Sequence, residues 1–269
     1  MSDVVLYEVA DRVATITLNR PDARNALSSE VLTLLPDFAR QAEASDDVDV
    51  VILTGADPAF CAGLDLKELG STGGNLRGAG AVGEDRPDLG TVEGRPGPWP
   101  SIGKPVIGAV NGVAVTGGFE LALACDFLIA SERARFADTH ARIGVQPGWG
   151  LTVLLPQAVG IRRARELSLT GNFLDAETAL AWGLVNHVVA HDDLLPTARQ
   201  LAADIATNDQ VGARRILRTY AENEFSYRGE GWRTESAAAR AWLKSGGGSP
   251  AEVEARRQAV MARGREQTT

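Results

Sequence analysis

The glutamate Glu120 lies in a largely apolar stretch, residues 104–130, directly after the pair Gly117-Gly118. An apolar strand, a glycine turn and a helix rich in alanine and leucine are typical of a buried segment, where an unpaired acid is costly. A carboxylate in apolar surroundings has a raised pKa and can exchange protons near neutral pH. The sequence therefore predicts Glu120 as a catalytic acid or base. The alternative is an exposed glutamate that caps the first turn of a helix.

Two glycine turns could supply backbone donors for an anion. Ala62-Gly63 and Gly117-Gly118 each come after a strand and begin a helix, where the first N–H groups have no partner inside the helix. Two such N–H groups directed at one carbonyl oxygen form an oxyanion hole, which stabilises an enolate or a tetrahedral adduct. Each turn alone is more often a tight turn without a chemical role, so only the pair indicates an anion site.

Two further side chains could take part in the chemistry. His140, in the segment FADTHARIG, has a side chain that exchanges protons near neutral pH and could be a general acid or base. A single histidine is more often a hydrogen-bonded structural residue, and this interpretation stays open. Trp149, between Gly148 and Gly150, could form the wall of a pocket or pack in the core.

These residues fall within a pattern of strands and helices typical of an α/β protein. A hairpin is predicted over Val4–Val9 and Val13–Leu18, and buried strands over Val48–Leu53, Val106–Val110 and Asp126–Ala130. Ser28 is predicted to cap the first long helix. The later helices are predicted over residues 151–159, 164–170, 176–183, 194–207, 211–224, 230–244 and 250–265. We therefore expect a catalytic core over residues 1–195, a helical region over 196–269, and a long loop over 70–100 that is functional or disordered.

Composition excludes several classes of protein. The net charge of −8 argues against a nucleic-acid partner, and no apolar run approaches the roughly 20 residues that span a membrane. The first residues alternate apolar and acidic side chains, unlike a signal peptide. Cys61 and Cys125 have no metal-like spacing and are expected to be reduced thiols of a cytoplasmic protein.

Motifs of other enzyme classes are missing from the sequence. The chain has no Gly-x-Ser-x-Gly elbow, no phosphate-binding loop that ends in Gly-Lys-Ser/Thr, and no Gly-x-Gly-x-x-Gly turn. Clusters of His, Cys and acidic residues with metal-ligand spacing are also missing. We therefore expect no metal site, and hydrolytic and redox chemistry are disfavoured.

Four segments in order carry a family resemblance: NRPDARNALS, VVILTGADPAFCAGLDLKEL, KPVIGAVNGVAVTGGFELALACDFLIASERARF and LTGNFLDAETALAWGLVNHVV. Over residues 6–189 the chain resembles the crotonase (enoyl-CoA hydratase/isomerase) superfamily. The resemblance implies an α/β fold in which repeated ββα units form a spiral, followed by a C-terminal helical trimerisation region. It also implies a homo-oligomer, either a trimer or a dimer of trimers.

The resemblance implies an acyl-CoA thioester as substrate, so that coenzyme A is part of the substrate and no separate cofactor is expected. Ala62 and Gly117 match the positions whose N–H groups bind the thioester oxygen, and Lys67 could contact the phosphates of the coenzyme. The residues implied in substrate binding are Arg24, Ala26, Leu27, Ala62, Gly63, Leu64, Asp65, Lys67, Gly117, Gly148 and Trp149.

Two departures from the family pattern affect the expected reaction. Hydratases of the family hold a water between two glutamates, which direct it to C3 and deliver a proton to C2. Glu120 matches the first of these, whereas His140 stands at the second. An imidazole can exchange a proton there, but it lacks the two acceptor oxygens of a carboxylate. Trp149 stands where smaller residues are common, which favours unusual or short acyl groups.

Three functions remain open at this point. An enoyl-CoA hydratase agrees best with Glu120 beside two oxyanion-type turns. Another crotonase reaction through the same enolate, such as isomerisation, hydratase-lyase cleavage or decarboxylation, agrees with the histidine at position 140. A non-catalytic acyl-CoA-binding protein would explain the missing second glutamate, but it would leave a buried Glu120 without a use.

Overall fold

The structure is a computed structural model that describes residues 3–71, 74–75, 97–245 and 250–268. Its strands are β1 Val5–Ala10, β2 Val13–Leu18, β3 Val50–Gly55, β4 Ala59–Cys61, β5 Val106–Val110, β6 Val113–Val115, β7 Phe127–Ser131, β8 Arg135–Ala137, β9 Leu174–Asp175 and β10 His187–Val189. Its α-helices are α1 Ser29–Ala44, α2 Leu66–Ser71, α3 Gly117–Leu123, α4 His140–Ile143, α5 Leu151–Val159, α6 Ile161–Thr170, α7 Ala176–Trp182, α8 Leu194–Ala206, α9 Gln210–Lys244 and α10 Pro250–Thr268. The loop predicted over 70–100 lies mostly outside the described residues.

Two sheets form the α/β core. The larger sheet has the order β1-β2-β3-β5-β7-β10, and all of its pairs are parallel except the predicted hairpin β1-β2. The smaller sheet has the order β4-β6-β8-β9, with parallel pairs between β4, β6 and β8. Strand β3 is buried along its whole length, as expected for a parallel strand covered on both faces.

Three consecutive ββα units connect the sheets. The units are β3-β4-α2, β5-β6-α3 and β7-β8-α4, and each places its first strand in the larger sheet and its second in the smaller one. The α/β fold of repeated ββα units is therefore confirmed. Since β4 and β6 are parallel neighbours, their carboxyl ends meet, and the turns that follow them lie side by side.

Helix α1 is fixed at both ends by polar contacts. The Ser28 side chain accepts a hydrogen bond from the Val31 N–H at 3.4 Å, which confirms the predicted N-cap. At the other end, the buried Lys104 ammonium donates to the carbonyl oxygens of Ala42 and Ser45, each at 2.6 Å. These last carbonyls of the helix have no partner within it, so Lys104 joins α1 to the start of β5.

The C-terminal region differs from the prediction in one respect. The sequence predicts two helices, over residues 211–224 and 230–244, but α9 is one helix over Gln210–Lys244. Gly229 and Gly231, which would each cost about 1 kcal/mol in a helix, are accommodated where the buried Trp232 and Glu235 pack on the core. Helix α10 returns to the core and inserts Val253 among Leu69, Ile143 and Val145.

Five strands of the structure are not predicted from the sequence, namely β4, β6, β8, β9 and β10. Each has only two or three residues, and so short a segment shows no measurable alternation of apolar and polar side chains. Helix α2 begins at Leu66, whereas the sequence predicts that it begins at about Leu64. No helix in the described ranges is both long and apolar enough to cross a membrane.

Candidate active site

A small chamber of about 40 Å³ lies where the two glycine turns meet. Its lining contains most of the residues that the sequence predicts for the site, namely Ala62, Leu64, Gly117, Glu120, His140, Gly148 and Trp149. The turns touch each other, because a Cβ added to Gly63 would lie 3.4 Å from the Gly117 nitrogen. The chain therefore brings the candidate anion donors, the acid and the histidine together from three ββα units.

Glu120 points into this chamber and not into solvent. It is 3% exposed, and its Oε1 accepts hydrogen bonds from the Trp149 N–H at 2.9 Å and the Gly148 N–H at 3.3 Å. Its Oε2 lies 3.5 Å from the Nε2 atom of His140. The interpretation of Glu120 as an exposed helix cap is therefore wrong. One carboxylate oxygen is fixed by backbone donors, and the other faces the histidine and the chamber.

His140 is held between two carboxylates. Its Nδ1 atom lies 2.6 Å from Asp138 Oδ1, and its Nε2 atom faces Glu120. Burial alone lowers the pKa of His140, but the hydrogen bonds and charges of Asp138 and Glu120 outweigh it and raise that pKa to about 10. The side chain is therefore an imidazolium at neutral pH, with a proton on each ring nitrogen.

The backbone donors of the first turn differ from the prediction. The Ala62 N–H donates to the Arg24 carbonyl oxygen at 3.0 Å, so it is not available to an anion. Leu64 forms a parallel bridge with Leu27, in which Leu27 N–H donates to Gly63 and Asp65 N–H donates to Leu27. Alternate residues of a strand direct their N–H groups to opposite sides, so the Leu64 N–H points away from Leu27. The assignment of Ala62 as an oxyanion donor is therefore wrong.

The Leu64 and Gly117 N–H groups are the donors that remain available. Within the described ranges, neither donates a hydrogen bond to another protein group, and both residues line the chamber. Gly117 is the first residue of α3, where an N–H has no partner inside the helix. Two unpaired amides beside one chamber, on turns that touch each other, could together bind one oxyanion.

A larger pocket of about 440 Å³ opens from the chamber and shares Ala62, Leu64 and Thr116 with it. Of the predicted binding residues, Arg24, Ala26, Asp65 and Lys67 also line this outer pocket. Leu27 is fully buried and contributes only through its bridge to Leu64. The cations along the pocket are Arg20, Arg24, Lys67, Arg142, Arg257 and Arg265, a composition that suits a ligand with several phosphates.

Glu235 is a site residue that the sequence does not reveal. This buried carboxylate on α9 accepts hydrogen bonds from the Gly150 N–H at 2.5 Å, the Thr152 N–H at 2.7 Å and the Thr152 hydroxyl. Burial raises the pKa of Glu235, and the nearby charge of Glu120 raises it further. The turn over residues 147–152 is thus held by two acids, Glu120 at its start and Glu235 at its end.

Trp149 separates the chamber from a second cavity. That cavity, of about 640 Å³, lies beyond the carboxyl end of α3 and near α9, and Trp149 is the one described residue that lines both spaces. The indole is 4% exposed and rests against Gly117, where an added Cβ would lie 3.2 Å from its Cζ3 atom. The tryptophan therefore forms a wall, as one of the two sequence interpretations proposes.

The two cysteines do not line the chamber. Cys61 and Cys125 are unpaired thiols, and burial raises the pKa of Cys61 to about 12, which suppresses its thiolate. In the part of the chain that the structure describes, no group of three His, Cys, Asp or Glu residues is placed to hold a metal ion.

Comparisons with known proteins identify the family to which the chain is similar. The model of the enoyl-CoA hydratase/isomerase family matches residues 8–229. The probable enoyl-CoA hydratase 1, peroxisomal, of Arabidopsis thaliana is 41% identical over 204 residues, which are 76% of this chain and 73% of that protein. The 1,2-epoxyphenylacetyl-CoA isomerase of Escherichia coli is 39% identical over 217 residues, 79% of each protein. The crystal structure of enoyl-CoA hydratase from Mycobacterium tuberculosis H37Rv is 52% identical with a TM-score of 0.80, and the match covers 91% of this chain and 99% of that one.

Proposed function

The chain belongs to the enoyl-CoA hydratase/isomerase family, and we propose that it is a hydro-lyase that adds water across the 2,3 double bond of an enoyl-CoA thioester. The observation that carries this proposal is the chamber itself. Glu120 and His140 lie 3.5 Å apart there, beside the two available amides of Leu64 and Gly117. A base, an acid and an oxyanion site are the three elements that addition of water to an unsaturated thioester requires.

The substrate is positioned by the two connected spaces. The coenzyme part occupies the outer pocket, with Arg24 and Lys67 as candidate partners of its phosphates. The acyl carbons enter the chamber, and the thioester oxygen lies between the Leu64 and Gly117 N–H groups. Since the coenzyme arrives as part of the substrate, no separate cofactor is included in the proposal.

The proton transfers balance within the pair of side chains. Glu120 accepts a proton from water as the water oxygen attacks C3, and the charge that develops on the thioester oxygen is stabilised by the two amides. The His140 imidazolium then donates its Nε2 proton to C2 of the enolate. The neutral imidazole recovers a proton from Glu120 across their short contact, which restores both groups for the next turnover.

Short acyl groups suit the chamber best. Its volume of about 40 Å³ holds a water and a few carbon atoms, and Trp149 closes it against the larger cavity beyond. A long acyl chain would have to displace the indole, which is buried and packed on Gly117.

The proposal includes a homo-oligomer, a trimer or a dimer of trimers, formed in part by the helical region over residues 196–269. It is supported by apolar side chains exposed on α9, with Val211 at 65%, Ile216 at 58% and Tyr220 at 71%, because large exposed apolar side chains on one helix favour association.

The proposal places the protein in a reducing compartment such as the cytoplasm, which agrees with the unpaired thiols of Cys61 and Cys125.

Isomerisation through the same enolate is the second candidate. It is favoured by His140, which replaces a carboxylic acid with a cation at the second proton position, and by the similarity to the Escherichia coli isomerase. In that reaction the enolate would be reprotonated at another carbon without uptake of water.

Product analysis separates the candidates. The purified protein is incubated with a panel of 2-enoyl-CoA thioesters, and the products are identified by mass spectrometry. Hydration adds the mass of one water, whereas isomerisation leaves the mass unchanged. Binding of acyl-CoA with neither a product nor exchange of C2 hydrogens in deuterated water would overturn both and indicate a binding protein.

The variant Glu120→Gln tests the role of the acid. Glutamine keeps an oxygen for the Gly148 and Trp149 amides, but it places an N–H donor against the protonated Nε2 atom of His140. Loss of a general base lowers the rate by about 10²–10⁴-fold, and we expect a decrease of that size in kcat. The exposed Glu132→Gln, on the turn between β7 and β8, is the matched control and should keep the wild-type rate. Full activity of Glu120→Gln would contradict the proposed mechanism.

A further inference from the structure

A buried aspartate lies behind His140 and is not used in the proposed chemistry. Asp138 is 1% exposed, follows the end of β8, and its Oδ1 lies 2.6 Å from the His140 Nδ1 atom. The same oxygen accepts the His140 backbone N–H at 3.1 Å. The Ser168 side chain is close enough to help lower the pKa of this carboxylate. The aspartate is therefore held in place on the side of the imidazole that faces away from the chamber.

Charged groups from several elements surround the His140 imidazole, but only two of those that the structure describes face the ring. Glu120 of α3 faces Nε2, and Asp138 after β8 faces Nδ1. Glu235 of α9 lies farther away, beyond the turn over 147–152. The guanidinium groups of α4 and α10 are directed at carbonyl oxygens, Arg142 at Thr170 and Arg256 at Ile143. Two carboxylates therefore contact the ring, and no cation contacts it within the described residues.

We propose that Asp138 is a positioning residue that keeps His140 as an imidazolium with its Nε2 proton directed at Glu120. The effect of Asp138 on the reaction rate rests on the proposed function. The charge state of the His140 ring does not, since it can be measured without substrate. A neutral imidazole has one donor and one acceptor nitrogen, so it can donate to one of the two carboxylates but not to both. With both acids ionised, the imidazolium alone gives each of them a donor.

Electrostatics supports the same state. Two buried carboxylates without a cation between them would each carry a large desolvation cost. Burial raises the pKa of Asp138, but the hydrogen bond from His140 and the nearby Ser168 side chain outweigh burial and hold that pKa below its usual range. The aspartate is therefore ionised at neutral pH, and its charge stabilises the proton on the ring.

The consequence concerns the second proton carrier of the reaction. A cation that gives its proton to C2 also attracts the negative enolate before the transfer, whereas a neutral carboxylic acid would not. Asp138 itself contacts neither the chamber nor the reacting carbons, because it is separated from them by the ring. Its effect on the rate would come from the charge and orientation of His140.

The charge state can be read by ¹⁵N NMR of the histidine rings, because the chain has only three histidines, His140, His187 and His191. The His140 signals are assigned from a His140→Gln variant. In the wild-type protein both ring nitrogens of His140 should stay protonated from pH 6 to about pH 9. A neutral ring at pH 7 in the wild-type protein would overturn the proposal, whatever the variants do.

The variant Asp138→Asn removes the charge and keeps an oxygen that can accept from Nδ1. A hydrogen bond to a charged group corresponds to about one to two pKa units, so we expect the His140 titration to move down by that amount. The alkaline limb of the kcat–pH profile should move down equally. A lower kcat with an unchanged profile and a ring that stays charged would indicate a structural role and would contradict the proposal.

A matched control exists elsewhere in the chain. Asp57 lies 3.0 Å from the His191 Nε2 atom, so Asp57→Asn perturbs another Asp–His pair outside the chamber. It should leave the His140 signals and the kcat–pH profile unchanged. The two proposals can be refuted separately. A charged His140 in a protein without hydratase activity would refute only the proposed function. An active enzyme with a neutral His140 ring would refute only this inference.

Discussion

The Trp149 wall makes a quantitative prediction about acyl chain length. The variant Trp149→Ala removes the indole between a chamber of about 40 Å³ and a cavity of about 640 Å³. The two spaces would become continuous, and a chain longer than the wild-type chamber accepts could extend into the larger one. We therefore expect the variant to prefer longer 2-enoyl-CoA substrates than the wild-type enzyme does.

The size of the change can be estimated from burial. Each methylene group removed from water contributes about 0.8 kcal/mol, and a C8 substrate has four more of them than a C4 substrate. If all four are buried, the transition state gains about 3 kcal/mol, or up to roughly 200-fold in kcat/KM. The ratio of kcat/KM for C8 over C4 should therefore increase by about one to two orders of magnitude in the variant.

The assay follows the loss of the conjugated double bond for a series of 2-enoyl-CoA thioesters with increasing chain length. Truncation of a buried tryptophan costs about 3–5 kcal/mol of folding stability, so thermal unfolding must show that the variant is folded at the assay temperature. Trp182→Ala is the control, because Trp182 lines neither space and contacts the Arg163 guanidinium, 5.0 Å from its ring centroid. A folded Trp149→Ala enzyme with the wild-type chain-length profile would refute the reasoning.

Two further predictions concern the oxyanion donor and the imidazolium. Leu64→Pro deletes one of the two amides and should lower kcat by about 10²–10³-fold. Leu64→Ala keeps the amide, so its kcat should decrease far less. Equal decreases of kcat in a steady-state assay would contradict the assignment of Leu64. The pKa of His140 is about 10 in the folded chain and its ordinary value is 6.5, so its contribution to stability is complete below pH 6.5 and is lost as the pH rises towards 10. The melting temperature should therefore decrease more steeply over this range in the wild type than in His140→Gln, and parallel curves would show that the ring charge does not stabilise the fold.

The sequence predicts the fold and the burial of Glu120, because those signals are local. The hairpin, the buried strands and the Ser28 cap follow from alternation, apolar runs and capping residues over a few positions. Glu120 is identifiable because its apolar neighbours and the preceding glycines all belong to one short segment. A sequence stretch of this kind carries its own evidence of burial.

The finer assignments depend on pairing between distant segments, which no local pattern encodes. Whether Ala62 or Leu64 has an available N–H is decided by hydrogen bonds to Arg24 and Leu27, more than 30 residues earlier in the chain. Glu235 accepts from Gly150 across a separation of 85 residues, and nothing in its own helical neighbourhood distinguishes it. The sequence gives only a weak indication of the role of Asp138, because a polar side chain two positions before a histidine can contact its ring.

The turn over residues 147–152, which donates hydrogen bonds to Glu120 and Glu235, links the chamber to the C-terminal helix α9. A chain shortened before residue 210 would lose Glu235 and with it the anchor for the amides of Gly150 and Thr152. The amides of Gly148 and Trp149, which donate to the Glu120 carboxylate, would then belong to a loop without this anchor. The long helix α9 therefore supports the site. Truncation far from the chamber should abolish the activity even where the core still folds.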